Sequence, residues 1–411
     1  MAVPRLRFKG FEGNWDSRKF SDTLSFLGTN SFSRDKMNNM SGSVKNVHYG
    51  DILVRYGNVL DVLGEQIPFI NEDVSTCKIK EKDYLLSGDV IIADTAEDYT
   101  VGKATEIINT QGIKIVAGLH TQACRPKRKF AIGYIGNFIN SLAFRHQLRR
   151  IAQGTKVLSI IKTHLTDMEI HFPVEKEQQK IADFLTTFDK RIAAQQNIIA
   201  DLEETKKGLL QKIFSQEIRF KDDNGQDYPD WKHTLLNDIV TCFSGGTPIS
   251  YKLEYYSGNI PFIRSGEIHK ASTELYISEK GLVNSSAKMI KKGDLLYALY
   301  GANSGECDIA KINGAINQAV LCIRPIKDDV YYIFLWLSYR KKYIVSTFLQ
   351  GGQGNLSAST VKRLSIMLPS IMEQRKIAAF LSAFDKKITA EKQILSDLKE
   401  IKKGLLQQMF V

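Results

Sequence analysis

Cysteine is scarce in this chain of 411 residues. No two cysteines form a CxxC pair, and they stand far apart along the sequence, at Cys77, Cys124, Cys242, Cys307 and Cys322. Scattered thiols argue against a disulfide framework and against a cysteine-bound zinc ion, and they are typical of a reducing compartment. We therefore expect the protein to be cytoplasmic.

Long apolar runs are also missing. No apolar stretch reaches the roughly 18 residues that a membrane-spanning helix needs, and the opening segment MAVPRLRFKGFEGNW lacks the apolar core of a signal peptide. Hydrophobic residues make up 43% and charged residues 25% of the chain, as in an ordinary soluble protein. A chain of this length is expected to form two or three domains and to act without a membrane.

Acidic residues are absent from two long stretches. None occurs from Ile107 to Thr166 or between Asp329 and Glu373, although both stretches contain several lysines and arginines. The net charge of the chain is +11, and a surface field of a single sign attracts a polyanion such as DNA. A solvated basic face without a ligand is the alternative, which is less favoured because the trend occurs twice.

Sequence motifs of catalysis are missing as well. The chain has no GxxxxGK[ST] phosphate loop, no glycine-rich methyl-donor loop and no Pro-Pro-Tyr tetrapeptide, and its seven histidines include no HExxH pair. Four carboxylates near predicted strand ends raise the alternative of a nuclease cluster, but Gly-Asp turns explain such residues better. They are Asp89, Asp94, Asp294 and Glu306. We expect neither catalytic residues nor a metal site.

The chain contains one segment twice. Residues 177–214 read EQQKIADFLTTFDKRIAAQQNIIADLEETKKGLLQKIF, and residues 373–410 read EQRKIAAFLSAFDKKITAEKQILSDLKEIKKGLLQQMF. At a constant offset of 196 residues, 23 of the 38 aligned positions are identical. Each copy follows a proline, Pro173 or Pro369, which ends an extended segment. Each copy is predicted to be one helix of about 36 residues and about 54 Å.

The repeat extends beyond this helix. An Arg-Phe-Lys segment that leads to Trp15 or Trp231 opens each copy, and a helical stretch at 138–150 or 334–346, followed by a Gln-Gly loop, precedes each long helix. The regions between, 16–137 and 232–333, share little sequence. They contain short apolar runs bounded by Gly-Asp turns, which predict strands at 50–57, 88–94 and 293–301.

Both long helices carry a heptad repeat. Apolar residues recur at alternating spacings of four and three over about five heptads, as in the seam of a coiled coil. Polar residues interrupt the two seams at matching positions, which are Gln195 and Lys206 in the first helix and Glu391 and Lys402 in the second. A helix packed on a globular core is the alternative, although the matched pair of helices favours pairing within the chain.

An antiparallel pairing in the symmetric register is predicted. It places every polar interruption opposite an apolar residue, so that lysine stems lie along aromatic faces with their ammonium groups in water. The predicted pairs are Ile181 with Met409, Ile192 with Leu398, Lys206 with Phe384, Lys402 with Phe188, Gln195 with Leu395 and Glu391 with Ile199. Such a spacer would relate two globular regions by an approximate two-fold axis, which suits a bipartite DNA site.

These motifs resemble the specificity subunits of type I restriction–modification systems. The resemblance covers essentially the whole chain and depends on the doubled long helix, the LRFKGFEGNW and IRFKDDNGQDYPDW segments, and the SGGTP, IPFIRSGEI and GDLLYALYGANSG runs. It implies a mixed α+β fold with two target-recognition domains and two long antiparallel helices as a coiled-coil spacer. The expected limits are 1–172 and 216–368 for the two domains, 173–215 for the central helix and 369–411 for the C-terminal helix.

The resemblance also implies a function. It suggests a non-catalytic subunit that recognises a bipartite, gapped sequence in double-stranded DNA, with one half-site per domain. Its long helices would dock two modification subunits, and restriction subunits would join through the complex. No cofactor is expected in this chain, whereas S-adenosylmethionine, ATP and Mg²⁺ are expected in the partner subunits. The alternatives are a DNA-binding nuclease or methyltransferase with an unrecognised active site, and a coiled-coil scaffold that does not bind DNA.

Basic side chains are the candidates for phosphate contacts, and polar side chains on turns are the candidates for base edges. The phosphate candidates are Arg125, Lys127, Arg128, Lys129, Arg145, Arg149, Arg150, Lys341, Lys342, Lys362 and Arg363. The base candidates, each of which can equally be a turn or cap residue, are Thr121, Gln122, Gln153, Ser244, Thr247, Arg264, Ser265, Asn303, Gln318, Gln353 and Asn355. The Gln-Gly loops at 153–154 and 350–354 are the preferred common element, because glycine lets the backbone approach a phosphate closely.

Residues that are identical in both long helices but lie off the predicted seam are the candidates for partner binding. Duplicated outward residues would present one surface to two copies of the same subunit. They are Asp189, Lys190, Asp201, Glu204, Lys207, Asp385, Lys386, Asp397, Glu400 and Lys403. Ordinary solvent-facing helix charge is the alternative.

Overall fold

The structure is a computed structural model, and it describes residues 3–77, 79–154, 156–349 and 355–411. By packing, the chain divides into two compact units. Unit 1 consists of Met1–Ile198 together with Glu391–Val411, and unit 2 consists of Ile199–Ala390. The expected domain limits treat each long helix as a segment of its own, whereas each compact unit contains part of both long helices.

The secondary structure of the first half of the chain mixes short strands and helices. The strands are β1 (Asp16–Lys19), β2 (Leu24–Phe26), β3 (Met37–Asn38), β4 (Lys45–Val47), β5 (Val59–Asp61), β6 (Phe69–Ile70), β7 (Val90–Ala93), β8 (Thr95–Ala96), β9 (Ala104–Ile108), β10 (Ile115–Ala117), β11 (Thr121–Pro126), β12 (Leu158–Ser159) and β13 (Glu169–Phe172). The helices are α1 (Phe20–Thr23), α2 (Tyr49–Val54), α3 (Tyr134–Ile139), α4 (Leu142–Ile151), α5 (Lys162–Leu165) and the long α6 (Glu175–Phe214).

The second half follows the same order of elements with fewer strands. Its strands are β14 (Lys232–Leu235), β15 (Val240–Ser244), β16 (Ile260–Ile263), β17 (Tyr276–Ile277), β18 (Lys288–Ile290), β19 (Leu295–Ala298), β20 (Cys307–Ile309), β21 (Gly314–Ile316), β22 (Val320–Pro325) and β23 (Ser365–Leu368). Its helices are α7 (Leu236–Ile239), α8 (Glu279–Val283), α9 (Val330–Phe348), α10 (Ala358–Lys362) and the long α11 (Ile371–Gln408).

Unit 1 is built on two larger sheets. One has the order β2-β11-β7-β9-β5 and is antiparallel except for the parallel pair β5–β9. The other has the order β10-β4-β6-β3, with β10 parallel to β4. The pair β8–β12 and the antiparallel ribbon β1–β13 complete the unit. The ribbon fixes the start of the chain against the strand that precedes α6.

Unit 2 repeats this plan with different residues. Its larger sheets have the orders β15-β22-β19-β20 and β17-β16-β21-β18, and the second again contains a parallel pair, β16–β21. The ribbon β14–β23 corresponds to β1–β13. One scaffold therefore carries two dissimilar sequences, which confirms the predicted mixed α+β fold with an internal repeat.

The strand predictions are confirmed at 88–94 and 293–301, where β7 and β19 lie. The prediction of a strand at 50–57 is wrong, because these residues overlap α2. The ring nitrogen of His48 accepts a hydrogen bond from the Gly50 N–H at 3.2 Å and caps this helix, and Arg34 binds the Asp51 carboxylate at 2.5 Å. A short apolar run does not by itself distinguish a buried strand from a buried helix.

The helical stretch before each long helix differs between the units. In unit 2 it is the single helix α9, whereas in unit 1 a break at Asn140 and Ser141 separates α3 from α4. The Asn140 amide donates to the Ala104 carbonyl at 2.7 Å and accepts from the Ala104 N–H at 3.1 Å. The Ser141 hydroxyl accepts from the Phe144 N–H and caps α4. Hydrogen bonds between side chains and the backbone thus interrupt in unit 1 the helix that is continuous in unit 2.

The end of a long helix closes each core. In unit 1 the ring of Phe410, just after α11, packs edge-on against Trp15 with the ring centroids 6.3 Å apart. In unit 2 the ring of Phe214, the last residue of α6, packs against Trp231 at the same centroid distance of 6.3 Å. All four rings belong to or contact the buried apolar clusters. The repeated tryptophan and the repeated terminal phenylalanine therefore serve the same contact in both units.

A buried ion pair fixes the first turn of each long helix. Glu177 in α6 accepts two hydrogen bonds of 2.8 Å from Arg7, and its side chain is 1% exposed. Glu373 in α11 accepts two from Arg219, at 2.8 and 3.0 Å, and its side chain is 0% exposed. Both arginines belong to the repeated Arg-Phe-Lys segment. A bidentate arginine is the side chain best suited to neutralise a buried carboxylate.

The glutamine after each of these glutamates is also buried. Gln178 accepts from the Ala131 N–H at 3.1 Å and donates to the Pro173 carbonyl at 2.8 Å. Gln374 donates to the Pro369 carbonyl at 3.0 Å. The Glu-Gln pair of both repeats is therefore structural, a role that the sequence pattern alone does not indicate.

Glu177→Ala is expected to destabilise unit 1 by about 3 kcal/mol, because the mostly buried guanidinium of Arg7 is left without a counter-ion. In calorimetry of the full-length chain, the unfolding transition of unit 1 should move to a lower temperature than in the wild type. Glu175→Ala is the matched control, since Glu175 lies in the same helical turn but its side chain is 51% exposed. Equal shifts for the two variants would contradict a specific role of the ion pair.

A second buried carboxylate lies beneath α3. The Glu106 side chain is 2% exposed and accepts hydrogen bonds from the N–H groups of Gly133 at 2.7 Å and Gly136 at 2.9 Å. Burial raises the pKa of Glu106 to about 7, although the backbone hydrogen bonds act in the opposite direction. The Glu106 carboxyl is therefore protonated below about pH 7 in the folded state, and losing this proton destabilises unit 1.

Raising the pH from about 5 to about 8 is expected to destabilise the wild type relative to Glu106→Gln. The folded pKa of about 7 lies above the ordinary value of 4.5, so that stability is lost as the pH rises through the folded pKa. The full effect is on the order of 3 kcal/mol. Urea unfolding at several pH values measures it. Glu97→Gln removes an exposed carboxyl and should keep the wild-type pH dependence, and parallel curves for Glu106→Gln and wild type would contradict the assignment.

Candidate nucleic-acid interface and helix seam

Two polar interruptions of the long helices meet each other within unit 1. The side-chain N–H of Gln195 donates to the Glu391 carboxylate at 2.6 Å and to the Glu391 carbonyl at 3.1 Å. The prediction that no polar interruption faces another is therefore wrong, whereas the predicted pairing of Gln195 with Leu395 stays a prediction. The Gln195 amide thereby satisfies two acceptors of Glu391 within a mostly apolar seam. Gln195 and Glu391 occupy equivalent positions of the two repeats, because they are separated by the repeat offset of 196 residues.

Aspartates bind the seam lysines. The ammonium group of Lys402 binds Asp189 in unit 1, and that of Lys206 binds Asp385 at 2.5 Å in unit 2. The lysine side chains are only 13% and 20% exposed. The prediction that these ammonium groups lie in water is therefore wrong. Asp189 precedes Gln195 on α6, whereas its partner Lys402 follows Glu391, the partner of Gln195, on α11. The two helices are therefore antiparallel within unit 1.

Asp189 and Asp385 were predicted to face outward, and this prediction is wrong, because both belong to the seam. They are 35% and 39% exposed. The other candidates for partner binding are exposed on α6 and α11, and each has its counterpart in the other repeat. They are Lys190, Asp201, Glu204, Lys207, Lys386, Asp397, Glu400 and Lys403. Both helices therefore present the same outward charges, and the role of these charges in partner binding stays a prediction.

Two base candidates of unit 1 lie at a cleft of about 440 Å³, lined by the segment after β2 and by the turn between β10 and β11. Gln122 donates its amide N–H to the Asp94 carboxylate at 2.8 Å. Thr121 is 3% exposed, and its hydroxyl donates to the Gly118 carbonyl at 2.5 Å. The Gln122 side chain is thus accessible at the cleft, whereas the Thr121 hydroxyl is used within the turn.

Sequence reasoning missed His120, which lines the same cleft. Its backbone is left-handed, with φ of 54°, and its side chain is 48% exposed. The ring Nδ1 lies 3.4 Å from the Thr95 hydroxyl and 3.7 Å from the Asp94 carboxylate. Non-glycine residues adopt this conformation only rarely, although histidine does so more readily than most. The sequence carries no signal for it beyond a polar residue between two apolar runs.

The base candidates of unit 2 gather at the topologically equivalent place. Ser244 ends β15, which corresponds to β2, and Gln318 lies in the turn between β21 and β22, which corresponds to the β10–β11 turn. The Thr247 hydroxyl donates to the Gln318 side-chain oxygen at 2.6 Å, and both side chains are exposed. We call this place the turn surface. It comprises residues 28–32 and 117–122 in unit 1 and residues 244–248 and 317–319 in unit 2.

Arg264 lies at the same edge of the sheet as Gln318, because the strands that precede them, β16 and β21, are parallel and pair Ile263 with Ile316. Its guanidinium binds Glu267 at 2.9 and 3.1 Å and Glu274 at 2.6 Å, through Nε and Nη2 only. The two carboxylates therefore orient the guanidinium and leave Nη1 out of these bonds. The neighbouring candidates Ser265 and Asn303 are half-buried, and Asn355 is exposed.

The first Gln-Gly loop approaches the protein's own backbone. A Cβ atom at Gly154 would lie 1.9 Å from the Val157 carbonyl oxygen, and the φ angle of Gly154 is +125°. This packing explains the glycine without a phosphate. The Gln153 side chain is exposed, and its backbone pairs with Ser159. The second loop, with the candidate Gln353, lies outside the described residues.

The phosphate candidate Arg125 belongs to an ion pair that both units share. It binds Asp89 at 2.7 Å, and Arg324 in unit 2 binds Asp294 at 2.6 Å. Each aspartate also accepts a backbone N–H at 2.8 Å in its Gly-Asp turn. Asp89 and Asp294 therefore have structural partners, which favours the turn interpretation over the nuclease cluster.

The other phosphate candidates of unit 1 form two groups. One group contacts a backbone carbonyl, an aromatic ring and a carboxylate of the unit itself, and consists of Lys127, Arg128 and Lys129. The other group lies on α4 and consists of Arg145, Arg149 and Arg150. In unit 2, Lys341 binds Glu306, Lys362 is half-buried, and Lys342 and Arg363 are exposed. Whether these side chains contact phosphates stays a prediction.

Comparison with known proteins identifies the scaffold. The family model of the type I restriction modification DNA specificity domain matches this chain twice, over residues 28–204 and 228–400. The chain belongs to this family. Each match contains one turn surface and most of one long helix, so that the repeat seen in the sequence is the repeat of the family domain.

Relatives include two proteins from Methanocaldococcus jannaschii. The type I restriction enzyme MjaIX specificity subunit is 32% identical over 49% of this chain and 49% of its own length. The chain provisionally described as the MjaX specificity subunit is 24% identical over 96% of this chain and 92% of its own length. Among solved structures, a type I restriction–modification S subunit from M. genitalium matches with a TM-score of 0.58 at 15% identity, covering 100% and 99% of the two chains. This likeness shows the fold.

No helix in the described part of the chain is long and apolar enough to cross a bilayer. Among the described residues, no group of three or more His, Cys, Asp or Glu side chains is arranged to hold a metal ion.

Cysteines introduced at Ile192 and Leu398 are expected to form a disulfide under mild oxidation. The contacts Gln195–Glu391 and Asp189–Lys402 bracket these positions on the two antiparallel helices. Non-reducing electrophoresis after proteolysis between the positions measures the bond, in a background where the exposed Cys77 is replaced by serine.

Cysteines at Lys190 and Leu398 are the control for this crosslink, because Lys190 is exposed on α6 and lies two residues, or roughly 200° of helix rotation, from Ile192. A crosslink for the control pair together with none for the 192–398 pair would contradict the antiparallel register.

Proposed function

We propose that this chain is the DNA-recognition subunit of a type I restriction–modification complex and reads a bipartite, gapped DNA sequence with one half-site per unit. One observation carries the proposal. The same scaffold presents a turn surface twice, with Gln122 and His120 on one copy and Thr247 and Gln318 on the other. Two different polar surfaces on one repeated frame are what two different half-sites require.

The partners in this proposal are double-stranded DNA, two modification subunits and, through the complex, restriction subunits. The repeated outward charges of α6 and α11 support docking of two copies of one subunit, because four exposed charged residues of each helix are identical to their counterparts in the other helix and have the same spacing. One solved structure of similar fold, at a TM-score of 0.58, comes from work on complex assembly of the type I restriction–modification system.

The chain itself is proposed to be non-catalytic. The aspartates of its Gly-Asp turns are engaged by arginines, and the described residues offer no cluster for a metal ion. S-adenosylmethionine, ATP and Mg²⁺ are assigned to the partner subunits, and the proposal includes a cytoplasmic location.

Methylome mapping in cells with and without this chain tests the proposed function. A methylated bipartite motif with a fixed gap should disappear when the chain is absent, and the purified chain alone should neither cut nor methylate DNA. An unchanged methylome would count against DNA recognition. Turnover by the isolated chain would favour the nuclease or methyltransferase alternative instead.

Arg264→Ala is expected to relax the sequence requirement in one half-site only, by about 1.5–3 kcal/mol of discrimination, because Nη1, which the two carboxylates leave out, is placed to donate a charge-assisted hydrogen bond to a base edge. The methylation pattern of the variant measures it. Gln122→Ala is the reciprocal variant and should relax the other half-site. Glu274→Gln keeps Arg264 and removes only a carboxylate that is 71% exposed, so it should have a smaller effect. Uniform weakening at all sequences would identify Arg264 as a phosphate contact.

A further inference from the structure

A basic cleft lies in unit 1 between α4 and the C-terminal part of α11. Its volume is about 290 Å³, and it is lined by five cationic side chains together with three amides and two leucines. None of its lining residues is acidic. The cationic residues are Arg145, Arg149, Lys399, Lys402 and Lys403. The turn surface has no part in this cleft, and base reading does not account for it.

Carboxylates neutralise only part of this charge. Lys402 binds Asp189, and Lys403 lies 3.4 Å from Glu400. Among the described residues, no carboxylate forms an ion pair with Arg145, Arg149 or Lys399. Arginines and lysines brought together in this way repel each other unless an anion lies among them.

Burial and neighbouring positive charges act together on the cations at this cleft. Burial lowers the pKa of Arg145, and the charge of Arg149 lowers it further. Burial, Lys402 and Arg145 likewise lower the pKa of Lys103. One guanidinium nitrogen of Arg145, Nη1, is buried without a hydrogen-bond partner among the described residues. Such a group is costly to leave unpaired.

Unit 2 does not carry the same set of charges. At the repeat offset of 196 residues, the counterpart of Lys399 is Glu203, and the counterpart of Arg149 in the matched helical stretch is Val345. The counterpart of Arg145 is Lys341, which binds Glu306. Unit 2 keeps basic residues at the other two positions, Lys206 and Lys207. It therefore has three of the five cleft charges and one acidic residue in place of a lysine, so that the full set of charges is specific to unit 1.

We propose that this cleft binds a backbone phosphate of the DNA, outside the bases that the turn surface reads. The inference rests on the proposed function and adds an asymmetry to it: one unit holds the duplex by an additional phosphate contact that the other lacks. Contact to a phosphate carries no sequence information, so the cleft contributes equally to cognate and non-cognate DNA.

The chemistry favours a phosphodiester over an acidic protein surface. Guanidinium groups bind phosphate oxygens through paired hydrogen bonds, and lysines add compact positive charge. Arg150, the residue after Arg149 on α4, is also exposed, and the sequence from Ile107 to Thr166 contains no acidic residue. Concentrated positive charge of this kind attracts the polyanionic backbone of DNA.

The test is the salt dependence of DNA binding by the full-length chain, measured by fluorescence anisotropy with one duplex that carries both half-sites and one that carries neither. The double variant Arg149→Gln, Lys399→Gln removes two exposed cleft charges and spares Arg145, which donates to the Tyr99 carbonyl. The matched control is Arg191→Gln, Lys387→Gln, which removes two exposed charges of α6 and α11 at equivalent repeat positions outside the lining of the cleft.

The cleft variant is expected to bind both duplexes about tenfold more weakly, and its plot of log affinity against log salt should be shallower by about 0.9 for each lost phosphate contact. The control should change little in either respect. Equal losses for the two double variants would overturn the inference in favour of a diffuse field. A loss confined to the duplex with both half-sites would overturn it in favour of base reading.

Competition separates the possible ligands. Tripolyphosphate should displace DNA from the wild type more readily than polyglutamate does at equal charge. Stronger displacement by polyglutamate would point to an acidic protein partner and overturn the inference. Binding of tripolyphosphate at the cleft with DNA affinity unchanged in the cleft variant would identify a site for a free phosphate, and would also overturn it. If the wild type binds no DNA at all, the proposed function fails with the inference, whereas normal DNA binding by the cleft variant refutes the inference alone.

Discussion

The carboxylates of Glu177 and Glu373 are shut off from solvent at the first turns of the two long helices, and the rest of each unit depends on how they are neutralised. A buried carboxylate without a partner is among the most costly groups in a protein. Here an arginine from the segment that opens each repeat supplies two hydrogen bonds and brings that segment onto the helix. The neighbouring glutamine then binds the carbonyl of the proline before the helix. The opening segment and the long helix of each repeat thus meet at one ion pair.

The seam between the long helices shows how a repeat uses polar residues. Heptad positions are mostly apolar, but each helix places a lysine where an aspartate of the other repeat binds it. Because the same ion pair occurs once in each unit, the pairing of α6 with α11 is specified by charge as well as by shape. Purely apolar seams tolerate a slip by one heptad, whereas a slip here would leave partly buried charges without partners. The outward faces are thereby free to carry a different set of repeated charges.

Much of the frame was predictable from the sequence, and the contacts within it were less so. The repeat indicated both long helices, and short apolar runs bounded by Gly-Asp turns indicated β7 and β19. The same reasoning failed at α2, because a histidine cap and an arginine partner for Asp51 stabilise a helix there. The heptads showed which residues lie in the seam but not which residues bind Gln195 and Lys402. Those partners depend on hydrogen bonds between the two helices, which a heptad pattern does not specify. In the candidate site, Gln122, Thr247 and Gln318 were found as polar turn residues, whereas His120 depends on a backbone conformation that no local pattern specifies.

One consequence of the aromatic contact between Trp15 and Phe410 concerns how the protein is made. The two residues stand near opposite ends of the chain, yet their rings share one buried cluster in unit 1. Unit 2, by contrast, contains only residues between Ile199 and Ala390. A ribosome therefore releases every residue of unit 2 before the final residues that complete the core of unit 1. The complete core of unit 1 therefore becomes available only after all of unit 2 has been synthesised.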